Sequence, residues 1–219
     1  MPSVPDRLSA LDYSFLALDS PRAPLHVGWT MRFDGSAPPL AALRRHLDAR
    51  LGFVPRFRRC VTMPARGMGD PCWVDDPGFD IARHVHELAL AAPGGPAELR
   101  ELAGLLLSRP LDRGLPLWQL YLVRGLGDGF ALVGQAHHAL VDGIAAIEVA
   151  MLLFTPDPPA PADGQGSGPP APWRPRPGPP AADRVTAAVA VRARTAARLV
   201  RVVAAPPALR GVARRASGV

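Results

Sequence analysis

Hydrophobic and polar residues alternate along residues 26–33, which read HVGWTMRF. The large apolar residues occupy every second position: Val27, Trp29, Met31 and Phe33. Successive side chains of a β-strand point to opposite faces of the sheet, so this alternation predicts a strand that is buried on one face.

Leucines recur at helical spacing along residues 38–52, which read PPLAALRRHLDARLG. They are Leu40, Leu43, Leu47 and Leu51. Proline is favoured at the first turn of a helix and glycine just beyond its end, and both stand at the boundaries of this stretch. The pattern predicts an amphipathic helix here, and a second one over residues 96–109.

Two strands followed by a helix are predicted in the third quarter of the chain. The apolar runs 117–126 and 130–136 read as strands, and GLGDG at 125–129 reads as the hairpin loop between them. A helix is predicted over 143–154, and a short strand over 79–88. Hairpins mixed with helices predict an α/β fold with a mixed sheet, of the α+β kind.

The composition changes at residue 156, which divides the chain into three predicted regions. Residues 1–155 form the folded domain, residues 156–182 are rich in proline and predict an extended, solvated linker, and residues 183–219 predict a basic helical segment rich in Ala, Val and Arg. All 25 basic residues are Arg, and the whole of the positive excess lies after residue 150. The folded domain is close to neutral, so nucleic acid is not expected as a partner.

The rest of the composition predicts a cytoplasmic protein. Cys60 and Cys72 do not form a disulfide framework, and the first residues lack the pattern of a secretory signal. No apolar run is long enough to span a bilayer.

The segment GQAHHALVDG, residues 134–143, carries the candidate chemistry. A strand leads into it and a helix leads out, and reactive groups are often placed at such strand ends. A neutral imidazole can accept a proton near neutral pH, so His137 or His138 could serve as a general base. Asp142 could orient an imidazole or pair with an arginine. The alternative is structural: two ordinary polar histidines, and Asp142 as the cap of the helix that begins at Gly143.

A metal site is a weaker alternative. His84 and His86 could in principle join His137 and His138, but no set of these residues has a recognised ligand spacing. His84 and His86 are instead expected to alternate on a surface strand, and no metal or other cofactor is predicted.

The motif HHALVDG, residues 137–143, resembles the HHxxxDG motif of the CoA-dependent acyltransferase superfamily, which includes chloramphenicol acetyltransferase and condensation domains. Three further stretches resemble one branch, the bacterial wax ester synthase/acyl-CoA:diacylglycerol acyltransferase family. They are residues 8–35, residues 79–95 and residues 108–126, the last with a Pro-Leu-Trp element. That element is Pro116, Leu117 and Trp118.

The resemblance implies a chloramphenicol-acetyltransferase-like N-terminal domain that transfers a long-chain acyl group from acyl-CoA to diacylglycerol or a long-chain alcohol. His138 would be the general base, His137 would support the site, Asp142 would orient the loop and Gly143 would permit the turn. The Pro-Leu-Trp residues would pack around the substrate channel. Residues 183–219 would be the start of a truncated second domain, as a helix that has lost the domain it packs against. Alternatively, residues 183–215 could lie on a membrane or a lipid droplet, where such acceptors reside.

Members of that family are roughly twice as long and have a second domain that forms the other wall of the channel, so this chain resembles an N-terminal half. Three hypotheses therefore remain open. The chain could be an acyltransferase of this type, alone or completed by a missing C-terminal half on another chain. It could be a catalytically silent fragment or interaction module. It could also be a condensation-type or polyketide-associated acyltransferase with a different acceptor.

Overall fold

The structure is a computed structural model that describes residues 6–63, 71–141, 143–154 and 173–176. The predicted basic helix over 183–219 lies outside these residues, as does most of the predicted linker. Within the described ranges, no helix is both long enough and apolar enough to cross a bilayer.

The described residues form four α-helices. They are α1 (Ala10–Leu18), α2 (Leu40–Arg50), α3 (Pro96–Leu107) and α4 (Gly143–Phe154). The last three confirm the helices that the leucine spacing and the apolar run predict. Helix α1 was not predicted, although Ser9 and Asp12 form a capping box in which each side chain accepts a hydrogen bond from the other residue's backbone N–H.

The strands assemble into two sheets. They are β1 (Asp6–Arg7), β2 (His26–Asp34), β3 (Arg59–Thr62), β4 (Cys72–Asp75), β5 (Val85–Ala89), β6 (Trp118–Leu126) and β7 (Gly129–His137). A small antiparallel sheet has the order β1-β4-β3, and a larger sheet has the order β2-β7-β6-β5. In the larger sheet β5 runs parallel to β6, while the other neighbours are antiparallel. This confirms the predicted mixed α/β fold, although the strand predicted over 79–88 is shortened by a 3₁₀ turn at Ile81–Arg83.

Strand β7 occupies an interior position in the larger sheet and is buried on both faces. Leu132 and Ala136 pack into the main core, whereas Ala131 and Val133 face α3 in a second cluster. A strand covered on both faces needs apolar residues at successive positions rather than at alternate ones, which explains the continuous apolar run that leads to the histidines.

A close approach between β2 and β7 requires a glycine. Gly134 pairs with Trp29 across the two strands, and a Cβ atom at position 134 would overlap the indole ring. The absence of a side chain lets the large ring pack against the strand that carries the candidate site.

His84 does not lie on a surface strand, which corrects the prediction made for it; His86 is half-buried. The side chain of His84 is 1% exposed, and its ring is stacked between Phe79 and Trp118. Its Nδ1 atom lies 2.9 Å from the backbone carbonyl oxygen of Trp118. The aromatic neighbours account for its burial, because they cover both faces of the imidazole.

Four residues of the predicted linker, 173–176, contact the folded domain at two points, although residues 174–176 remain exposed. Trp173 is half-buried, and the Arg58 guanidinium lies 5.2 Å from the centre of its ring. The backbone N–H of Arg176 donates to Asp75, a buried carboxylate that also binds Arg59. The segment is therefore anchored at both of its ends.

Candidate active site

The two histidines of the motif lie where β7 ends. His137 is the last residue of the strand, and its carbonyl oxygen accepts hydrogen bonds from the backbone N–H groups of Leu140 and Val141. These bonds form a tight turn that leads towards α4, whose first residue is Gly143. Asp142 lies outside the described residues, so its orienting role stays a prediction.

His138 is half-buried, and two contacts fix its position. Its backbone N–H donates to the carbonyl oxygen of Leu25 at 3.0 Å. Its ring is stacked on Phe15 of α1, with 4.9 Å between ring centres and 24° between the planes. The imidazole is therefore held by an aromatic face, while the residue as a whole remains partly accessible.

His137 is 1% exposed and faces the interior. Its backbone N–H donates to the carbonyl oxygen of Leu117 at 3.0 Å, and its Nδ1 atom accepts from the backbone N–H of Ala139 at 2.9 Å. A backbone N–H can only donate, so the hydrogen of the neutral ring is on Nε2. Among the described residues this Nε2 has no hydrogen-bond partner; Asp19 Oδ2 lies 3.8 Å away.

Asp19 is held ionised by its neighbours. Its Oδ1 accepts from the backbone N–H of Leu25 and its Oδ2 accepts from Arg113, both at 2.8 Å. Burial alone would raise the pKa of this carboxyl, but the hydrogen bonds from Arg113 and Leu25 outweigh it and lower the pKa below its ordinary value. A negative charge therefore lies beside the interior histidine.

Burial lowers the pKa of His137 from about 6.5 to about 4, and the charge on Asp19 only partly offsets this effect. His137 is consequently neutral at neutral pH, and its contact with Asp19 is not an ion pair. Burial also lowers the pKa of His84. The interior thus holds two histidines that stay uncharged.

These shifts predict that stability falls in mild acid. Each lowered pKa means that the unfolded chain binds a proton more readily than the folded one. The contribution is therefore fully present above about pH 6.5 and is lost as the pH falls. For His137 the loss between pH 6.5 and about 4 amounts to about 3 kcal/mol. Urea unfolding at pH 7, 6 and 5 checks this.

A His137→Gln variant supplies the control. The slope of the unfolding free energy against pH gives the number of protons taken up on unfolding. In the same pH range this number should be smaller by about one in the variant than in the wild-type chain. Equal slopes in the two proteins would contradict the assignment to His137.

The three residues of the Pro-Leu-Trp element are buried at the start of β6 and just before it. Leu117 holds the backbone of His137, as described above. The Trp118 indole N–H donates to the carbonyl oxygen of Phe57 at 2.8 Å, and Trp118 pairs with Ala136 of β7. Their burial favours packing over substrate contact and places them directly behind the histidine turn.

The part of the chain that the structure describes holds no group of three or more His, Cys, Asp or Glu side chains placed to bind a metal ion. The absence of a cofactor stays a prediction. Three residues at the site were not predicted: Phe15, Asp19 and Arg113. The capping box at Ser9 could have indicated the helix that carries Phe15 and is capped at its end by Asp19. No local signal joins Arg113 to Asp19, which is so distant in sequence.

Comparison with known proteins shows the family of this chain. The protein-family model of the wax ester synthase/diacylglycerol acyltransferase catalytic domain matches residues 8–219 of this chain. A probable diacylglycerol O-acyltransferase of Mycobacterium tuberculosis, tgs3, is 38% identical over 159 residues, which cover 70% of this chain and 59% of the relative. Another from the same organism, tgs1, is 40% identical over 64% of this chain and 31% of its own length.

Solved structures show the same fold. The wax ester synthase/diacylglycerol acyltransferase from Marinobacter aquaeolei VT8 is 32% identical with a TM-score of 0.58, over 66% of this chain and 37% of that one. The starter condensation domain of rhizomide synthetase is 18% identical with a TM-score of 0.55, over 68% of this chain and 37% of that one. This chain thus spans about three fifths or less of these proteins' lengths. It belongs to the wax ester synthase/diacylglycerol acyltransferase family, as the resemblance of its motifs predicts.

Proposed function

We propose that this chain carries the general base of an acyl-CoA-dependent O-acyltransferase that makes triacylglycerol or wax esters. The observation that carries the proposal is the placement of His138. Its backbone is hydrogen-bonded and its ring is stacked, yet its side chain is half-buried rather than enclosed, at the end of an interior strand. A general base needs this combination of fixed position and access.

In the proposed reaction, an imidazole nitrogen of His138 takes the proton of the acceptor hydroxyl as its oxygen attacks the thioester carbonyl carbon. The carbon–sulfur bond then breaks, and the departing CoA sulfur takes the proton back from the imidazolium. The ester and free CoA are the products. No covalent acyl-enzyme is needed, because the attacking oxygen comes from the acceptor.

The remaining motif residues have supporting roles in this proposal. His137 is buried and neutral, so it stabilises the turn rather than exchanging protons. Asp142 would orient the loop, and Gly143 would permit the turn into α4. Pro116, Leu117 and Trp118 would support the wall of the site from behind.

The acceptor class rests on the relatives. The similar proteins of Mycobacterium tuberculosis are described as diacylglycerol O-acyltransferases, and the Marinobacter protein also as a wax ester synthase. Diacylglycerol and long-chain alcohols are therefore the acceptors proposed here, with acyl-CoA as the donor. Attachment of residues 183–215 to a lipid surface, and completion of the site by another chain, stay predictions.

The test is an acyl-transfer assay on the purified 219-residue chain. Radiolabelled palmitoyl-CoA is supplied with diacylglycerol, with hexadecanol or with an amino acid derivative that has a free amine. The labelled products are separated, and the free CoA thiol is measured in parallel. We expect a labelled ester from one or both alcohols, with one thiol released per ester. Labelled amide alone would favour the condensation-type alternative, and no transfer to any acceptor would favour a catalytically silent chain.

A further inference from the structure

We propose that the Arg113–Asp19 pair is a positioning unit that holds both histidines of the motif in their working geometry. The effect of this pair on the reaction rate rests on the proposed function, whereas its effect on the position of the two histidines is independent of that function. Neither residue touches the reacting atoms in this proposal. Asp19 acts through Leu25 and His137, whereas Arg113 acts through Asp19 and α1.

The first connection runs through Leu25 to His138. Asp19 Oδ1 accepts from the backbone N–H of Leu25 at 2.8 Å, and the carbonyl oxygen of Leu25 accepts from the backbone N–H of His138 at 3.0 Å. Leu25 thus connects the Asp19 carboxylate to the backbone of His138, the proposed base, through two hydrogen bonds.

The second connection is electrostatic and reaches His137. The ring hydrogen of this histidine is on Nε2, which is 3.8 Å from Asp19 Oδ2 and has no hydrogen-bond partner among the described residues. A carboxylate on this side favours the tautomer with hydrogen on Nε2. That tautomer leaves Nδ1 free to accept from Ala139, the bond that closes the turn containing His138.

The third connection runs along α1 to the ring of His138. Arg113 donates to the backbone carbonyl oxygens of Leu16 and Asp19 as well as to the Asp19 carboxylate. A cation at the carboxyl end of a helix satisfies carbonyl groups that lack partners within the helix. Because α1 also carries Phe15, the arginine fixes the aromatic ring that stacks on His138.

If the pair only stabilised the fold, its removal would lower the unfolding free energy rather than displace the histidines. Arg113 is half exposed, and ion pairs at such positions contribute little to stability. Loss of the pair should therefore leave the fold largely intact while it displaces the histidines. Misplacement of a catalytic group by about 1 Å can reduce the rate about 100-fold.

The experiment compares Asp19→Asn, Arg113→Met, Arg113→Lys and the Asp19→Asn/Arg113→Met double variant. Arg124→Met is the matched control, because Arg124 likewise binds one carboxylate, Glu87, and two backbone carbonyls at the opposite end of β6. Steady-state kinetics are combined with ¹⁵N NMR of the histidine rings, which distinguishes protonated from unprotonated ring nitrogens.

We expect Asp19→Asn and Arg113→Met each to lower kcat about 10- to 100-fold, with KM for acyl-CoA changed by less than about twofold. The double variant should be no slower than the slower single variant, because the two residues act as one unit. Arg113→Lys should recover part of the rate. The NMR signals of His137 should change in Asp19→Asn and stay unchanged in Arg124→Met.

Wild-type kcat in Asp19→Asn, or an equal loss in Arg124→Met, would overturn the proposal. If the wild-type chain makes no ester, the proposed function fails and the NMR result alone decides. A changed His137 tautomer in Asp19→Asn then supports positioning, and an unchanged one overturns it.

Discussion

Replacing His138 with alanine is expected to lower kcat/KM for ester formation about 10²- to 10⁴-fold, the usual contribution of a positioned general base. The His138 ring is half-buried and partly accessible, while the neighbouring imidazole of His137 is enclosed. In the proposed reaction His138 alone exchanges protons. The measurement is ester formation from labelled acyl-CoA at saturating and limiting acceptor.

A His86→Gln variant is the control for this loss. His86 is also half-buried, but it lies on β5, separated from β7 by β6, and its ring bonds to Gln119. Its removal should leave kcat/KM within about twofold of wild type, since surface or remote substitutions usually have small effects. Ester formation by His138→Ala at the wild-type rate would exclude His138 as the base, whatever the family of the chain.

Replacing Trp118 with alanine is expected to destabilise the folded state by about 3–5 kcal/mol, as large-to-small substitutions of buried aromatic residues do. Trp118 is 4% exposed, its indole N–H donates to Phe57, and its ring covers one face of His84. Alanine would leave a cavity beside the buried imidazole and remove the donor to a buried carbonyl. Urea unfolding at pH 7 measures the loss.

Trp118→Phe separates packing from hydrogen bonding. It keeps an aromatic ring in the stack and loses the indole N–H, so a smaller loss of about 1–2 kcal/mol is expected. If Trp118 lined a substrate channel instead, Trp118→Ala would change KM strongly and the unfolding free energy little. That result would contradict the core position described here.

The sequence predicted the elements whose patterns are regular. The alternation of β2, the leucine spacing of α2 and the apolar run of β7 each reflect burial that repeats over several residues, so they can be read directly. Strands β3 and β4 have four residues each, too few to establish a period. Helix α1 was missed because apolar residues such as Leu11 and Leu18 remain exposed and obscure its buried face.

The candidate site likewise has a part that the sequence predicts and a part that it does not. The histidines stand in one short motif between two readable elements, so their position at a strand end could be predicted. Asp19 and Arg113, which support the histidines, meet each other across 94 residues of sequence. Such pairings depend on how the helix and the loops pack, and a single sequence holds no periodic signal for them.

The ladder between β2 and β7 has a consequence for the rate of folding. It pairs Asp34 with Gly129 and His26 with His137, residues about one hundred positions apart. Closing so long a loop lowers the conformational entropy of the chain before the ladder forms any hydrogen bonds, so contacts of this kind slow folding. During synthesis, β2 waits for about a hundred further residues before its partner emerges, at about 5–20 residues per second. Assembly of the histidine site thus cannot begin until β7 has been synthesised.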